Sequence, residues 1–162
     1  MWPCRRAARA GRSTDGGTTM TEQPLIAEVS QKAIIRSPDG SLLVMQADDT
    51  TWELPGGRMG AYEEPLVGLR REIREETGLD VSVDEPVHTA AWRNDQGRGR
   101  YSVVYRCDAD STDVTLSDEH CGYEWVSPET ARDEFLTVSI HQTAIDRLLD
   151  APASGQQPAD DD

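Results

Sequence analysis

Residues 57–79 read GRMGAYEEPLVGLRREIREETGL, and these 23 residues decide how the chain folds. Glu72, Glu75 and Glu76 recur at i, i+3 and i+4. On a helix of ~3.6 residues per turn, that spacing places their carboxylates within an arc of about 100°. Leu66, Leu69 and Ile73 fall on the adjoining arc, so an apolar stripe runs beside the acidic face. The pattern predicts a helix over 64–77, with Pro65 suited to its first turn and Gly78 to its stop.

Three like charges so spaced repel by roughly a few tenths of a kcal/mol per pair and need compensation. A hard divalent cation with oxygen ligands supplies it, Mg²⁺ held by carboxylates and substrate phosphates being the natural case. Gly68 lies four residues before Glu72 on the same face. Glycine inside a helix costs about 1 kcal/mol relative to alanine, so its presence there predicts a close approach to the acid cluster. Taken alone, the three glutamates also fit a solvated face of an acidic protein.

Upstream, 25–36 and 41–46 read as strands joined by the turn Ser37-Pro38-Asp39-Gly40, and 52–55 is extended into Gly56-Gly57. Downstream, strands are expected at 81–92 and 101–107 around the polar loop 93–100, and again at 123–126. Ser127-Pro128-Glu129 is a helix-start signature. A closing helix over 138–149 carries Ile145, Leu148 and Leu149 on one face. Strands with a central and a terminal helix indicate an α+β or α/β sandwich. A chain of 162 residues suits one domain, expected over 20–150. Residues 1–19 carry four arginines (Arg5, Arg6, Arg9, Arg12) among small polar residues, and read as a disordered extension with Met20 as a candidate natural start. An acidic, disordered tail is expected over 151–162.

Thirty acidic against sixteen basic residues give a net charge of −14, and Lys32 is the sole lysine. Such a surface repels nucleic-acid backbones and excludes duplex DNA or RNA as a partner. Aspartate-rich, lysine-poor composition resembles that of extreme halophiles, where molar salt with a Debye length of ~3 Å screens the self-repulsion. No apolar run approaches the ~20 residues of a membrane span. The odd cysteines Cys4, Cys107 and Cys121 form no CxxC pair, so reduced thiols and a cytoplasmic setting are expected. Composition leaves the oligomeric state open, a homodimer included.

Gly57, Glu63, Arg71-Glu72, an aliphatic Ile73, Glu75-Glu76, Gly78 and Leu79 stand at the spacing of the Nudix box, with Leu54-Pro55-Gly56-Gly57 extending the likeness upstream. The chain thus resembles the MutT-like members of the Nudix hydrolase family. The resemblance implies an α/β/α sandwich around a mixed sheet. It also implies metal-dependent hydrolysis of a phosphoanhydride bond in a nucleoside diphosphate-linked compound. Glu72, Glu75 and Glu76 would hold Mg²⁺ or Mn²⁺, joined by the main-chain carbonyl of Gly56. Glu63 and Arg71 would form a structural salt bridge. Tyr62 departs from the glycine many members carry, which touches the loop and not the metal site.

A carboxylate must take the proton from the attacking water. Glu72, Glu76 and the loop residue Glu119 are the candidates, while His120 reads as a polar loop residue. Arg93, Arg98 and Arg100 are candidates for gripping phosphate, against a plain solvated hairpin. Trp52 and Trp92 suit either base stacking or the core. Asp95 stands where ADP-ribose-cleaving relatives often carry proline, and Asp95-Gln96-Gly97 lack the tyrosine of dinucleoside-polyphosphate hydrolases. A nucleoside triphosphate or modified nucleotide is therefore favoured. The alternatives are a non-catalytic nucleotide-sensing module and an isoprenoid diphosphate isomerase using Cys107 or Cys121.

Overall fold

A computed structural model describes residues 24–151. The extension expected over 1–19 lies outside them, as does the expected tail beyond Ala151. In chain order the elements are β1 (Ala27–Arg36), β2 (Leu42–Ala47), β3 (Trp52–Glu53), α1 (Pro65–Thr77), β4 (Val81–Arg93), β5 (Gly99–Ala109) and β6 (His120–Val126). They are followed by a single turn α2 (Pro128–Thr130), a π-helical turn (Ala131–Phe135) and α3 (Ser139–Asp150). The sheet runs β3-β2-β1-β5-β4, with β6 on the other edge of β2. β1 and β5 are parallel and the remaining pairs antiparallel, so the sheet is mixed as expected.

β1 is buried on both faces because its apolar run Ala33-Ile34-Ile35 alternates between two cores. Ala33 and Ile35 face α1, packing with Leu43, Met45, Leu69 and Ile73. Ile34 faces the C-terminal helical segment, packing with Leu42, Val44, Leu54, Leu136 and Ile145. Helices therefore cover both faces, which is the sandwich. Leu69 and Ile73 are wholly buried, and each contributes roughly 1.5–3 kcal/mol of hydrophobic stabilisation. No helix among the described residues is long and apolar enough to cross a membrane.

One detail creates the site. β1 pairs with β2 only at Arg36↔Leu42, and then the two strands part. The chain after β3 enters the gap and lines β1 instead: Ala33 N–H donates to the Pro55 carbonyl (2.8 Å), Gln31 N–H to that of Gly57 (2.9 Å), and Met59 N–H to that of Val29 (2.9 Å). Gly56 makes this approach with φ +122°, and a β-carbon there would lie 2.3 Å from the Gln31 carbonyl oxygen. No side chain fits that position.

Candidate active site

The glutamate helix starts one residue later than its spacing suggests. Glu64 is the N-cap, its carboxylate accepting from Val67 N–H at 2.9 Å. Gly78, with φ +71°, ends the helix and returns its N–H to the Arg74 carbonyl. Past β5 the chain comes back to this end: Thr115 N–H donates to the Thr77 carbonyl (2.8 Å) and Ser117 N–H to that of Glu76 (3.1 Å). The loop bearing Glu119 is thereby tied to the last turn of the helix.

The three glutamates do not converge, and among the described residues no group of three or more His, Cys, Asp or Glu is gathered as a metal cluster. Arg71 separates them. Its guanidinium donates to Glu63 (2.8 and 3.1 Å), to Glu72 (2.9 Å) and to Glu75 (2.9 Å). One cation thus compensates three carboxylates, and the Arg71 hydrogen bond holds the Glu63 carboxyl below its usual range. Glu75 is largely exposed.

Glu76 turns inward and is only 7% exposed. One of its oxygens accepts from Gly56 N–H at 2.8 Å. Burial pushes its carboxyl above the ordinary value, and the Gly56 N–H and the nearby charges of Lys32 and His120 offset this only in part. It is the one glutamate of the three that lacks a direct side-chain cation partner.

Two glycines serve these carboxylates, each in its own way. A β-carbon on Gly57 would stand 2.5 Å from the Glu72 carboxyl group. Gly68 meets a different acid from the one its helical position suggests: a β-carbon there would lie 2.7 Å from the Glu63 carboxyl. The loop before the helix folds back and lays Glu63 over Gly68, so this glycine makes room for the Glu63–Arg71 pair and not for Glu72.

Behind Glu76 lies a second polar group. Lys32 donates to Glu53 (3.0 Å) and to the carbonyls of Leu54 (3.0 Å) and Gly56 (2.9 Å). His120 Nε2 meets the other Glu53 oxygen at 3.2 Å, and its Nδ1 is buried without a partner. Far from being a loop residue, His120 is buried and begins β6. Burial pushes the Glu53 carboxyl up, but the Lys32 charge and hydrogen bond, with His120, bring it below its ordinary value. From α3, the buried His141 is pulled down to about 4 by burial and then by the Lys32 charge. Lone Lys32 beside Ala33-Ile34-Ile35 was a signal of a buried cation; nothing in sequence joined it to Glu53 or His120.

The remaining candidates lie apart. Glu119 is exposed in the turn before β6. Arg93 and Arg98 are engaged within the hairpin loop, Arg93 with the Gly97 carbonyl (2.9 Å) and Arg98 with Gln96, whereas Arg100 on β5 pairs across to Glu28 on β1. Trp52 packs edge-on against Phe135 with ring centroids 4.7 Å apart, whereas Trp92 is 44% exposed. Cys107 is buried beneath α1, and burial pushes its thiol up to about 12, so it stays a protonated thiol at neutral pH.

A mixed sheet between helical layers thus carries an acidic helix against a glycine-lined loop. The NUDIX domain family model matches residues 28–148, and the chain belongs to the Nudix hydrolase family. It is 37% identical over 129 residues to a MutT-like protein of Streptomyces ambofaciens, covering 79% of each chain. It is 28% identical over 125 residues to the nucleoside triphosphatase NudI of Escherichia coli O81 (strain ED1a), covering 68% of this chain and 89% of that one. Among solved structures, the MutT protein of Methanosarcina mazei Go1 superposes with a TM-score of 0.68 at 24% identity, over 78% of this chain and 95% of the other.

Proposed function

We propose that the protein hydrolyses a phosphoanhydride bond of a nucleoside triphosphate or modified nucleotide, using Mg²⁺ or Mn²⁺ held by Glu72, Glu75 and Glu76. The observation that carries this reading is that two glutamates of α1 meet the glycine loop, Glu76 as a desolvated carboxylate on the Gly56 N–H without a direct cation partner and Glu72 in the recess left by Gly57. An all-oxygen donor set fits a hard divalent ion. The Gly56 carbonyl fits less well, because Lys32 already donates to it. When bound, a divalent ion supplies positive charge against the phosphate oxygens and acidifies water.

The chain's own groups do the rest. Gly56 N–H orients Glu76, the first candidate to accept a proton from the attacking water. Glu72 is the second base candidate. Arg71 screens Glu72 and Glu75 from each other in the resting chain and retains Glu63 when they turn to other partners. Phosphate reaching Arg93, Arg98 or Arg100 would replace Gly97, Gln96 and Glu28 respectively. The nucleoside triphosphatase relative supports the preferred substrate class. Incubating the chain with a panel of nucleoside triphosphates, modified nucleotides and sugar nucleotides, and identifying both products, tests the proposal. Nucleoside monophosphate with pyrophosphate is the expected outcome from a triphosphate, and no cleavage across the panel would remove the reading.

Two further expectations arise here. The loop before β6 is tied to the end of α1; if Glu119 serves as ligand or base, Glu119→Gln should slow turnover by about 10²-fold with the fold intact. An unchanged rate assigns the base to Glu72 or Glu76. The −14 charge implies a chain suited to high ionic strength. Its melting temperature should climb through a KCl series into the molar range, and a maximum at low salt would refute that.

A further inference from the structure

Strand register lays a row of small residues across the sheet, on the face that carries α3. Ala90 of β4 stands opposite Ser102 of β5, Ser102 opposite Ser30 of β1, and Ser30 opposite Arg58 of the glycine loop. Residues paired in this way share a face of the sheet. The adjoining row on the core side holds Val104 and Lys32, and α3 packs on it through Ala144 and Ile145. The row on the other side holds Trp92, Arg100 and Glu28, with Arg100 salt-bridged to Glu28. Small side chains between two rows of longer ones make a trough. Three steps of about 4.8 Å between neighbouring strands, from Arg58 to Ala90, give it a length of roughly 14 Å.

Three features of the trough call for a ligand. Ser102 is only 3% exposed, yet its hydroxyl has no hydrogen-bond partner among the described residues. Arg58, at the inner end, forms no ion pair among them, and it follows Gly57, whose recess holds Glu72. The indole of Trp92 stands 44% exposed along one wall. We propose that the trough seats the nucleoside of the substrate, with the base over Ser102 and Ala90 beside Trp92 and the phosphates passing Arg58 toward the glutamates. Ala90 then sets how large a base is accepted. The inference rests on the proposed nucleotide hydrolysis and assigns its specificity residues. A base offers a flat π-face to Trp92 and polar edges to the Ser102 hydroxyl, which donates one hydrogen bond and accepts two. A bare phosphate chain would leave that hydroxyl unpaired. β4 ends the sheet on this side, so no strand among the described residues lies beyond Ala90. Substituents on the far edge of a base pass out over the sheet edge, and base-enlarged nucleotides are substrates alongside plain ones.

Steady-state hydrolysis by the full-length chain tests this with three substrates: adenosine triphosphate, its N6-benzyl derivative and ribose 5-triphosphate. The unchanged chain should cleave both nucleotides with KM values within about threefold of each other, and both well below that of ribose 5-triphosphate. Ala90→Phe blocks the far end of the trough at an edge strand. It should lower kcat/KM for adenosine triphosphate about 10-fold relative to ribose 5-triphosphate, mostly through KM, and lower it further for the benzyl derivative. Calorimetric binding of adenosine monophosphate in excess chelator should weaken by a similar factor. A residue that matters only to folding would lower the melting temperature and move all three substrates together. Equal KM for the three substrates in the unchanged chain, or nucleotide KM and binding unaltered by Ala90→Phe, overturns the inference while nucleotide hydrolysis stands. No cleavage of any of the three removes the reading it rests on. Should Ala90→Phe not fold, Trp92→Ala decides at an exposed position: the same 10-fold relative loss is expected, and no loss overturns the inference.

Discussion

Replacing Glu76 by glutamine is expected to slow hydrolysis by about 10³-fold while raising the melting temperature at neutral pH. Glutamine keeps an oxygen for the Gly56 N–H and removes a charge that the site holds largely out of water. The sign of the stability change follows from the raised carboxyl. Stability contributed by a group raised in the folded chain is fully present below its unfolded value and is lost as pH rises through the folded value. The gain of Glu76→Gln should therefore be present at about pH 7 and shrink toward nothing at about pH 4. Paired activity assays and thermal unfolding at the two pH values measure both quantities. A variant that loses stability at neutral pH along with activity would show that Glu76 is a structural anchor instead.

Gly57→Ala should lose turnover on a similar scale, about 10³-fold, with little change in melting temperature. The added methyl meets only the far end of the Glu72 side chain, 2.5 Å away, which can swing aside at small cost to the fold. What it cannot do is swing aside and remain in the recess. Metal affinity measured on the folded variant should fall with the rate. Gly56→Ala makes the contrast, because there the clash is with the Gln31 backbone and the φ is unsuited to alanine. Full activity in Gly57→Ala would mean that Glu72 works from outside the recess.

Much of the frame was legible because it is local. Helical period placed Leu69 and Ile73 in the core, Gly78 announced the helix end, and turn residues separated the strands. The Glu63–Arg71 pair was implied by the family resemblance alone, and it forms between the loop and the helix. What escaped was set by long-range geometry. Lys32 and Glu53 are 21 residues apart, Glu53 and His120 are 67 apart, and no periodicity links them. The role of Gly68 was misjudged because a helical projection shows which face a residue occupies and not which loop folds onto it. Convergence of the glutamates was likewise beyond spacing: three carboxylates share a helix face, yet like-charge repulsion and Arg71 hold them apart.

The central claim is that hydrolysis depends on a divalent ion bound by the glutamates of α1. Its most direct test is turnover of a nucleoside triphosphate by the full-length chain in Mg²⁺, then in excess chelator, then with Mg²⁺ restored. Hydrolysis should stop with the chelator and return with the metal. Undiminished hydrolysis in excess chelator would contradict the account.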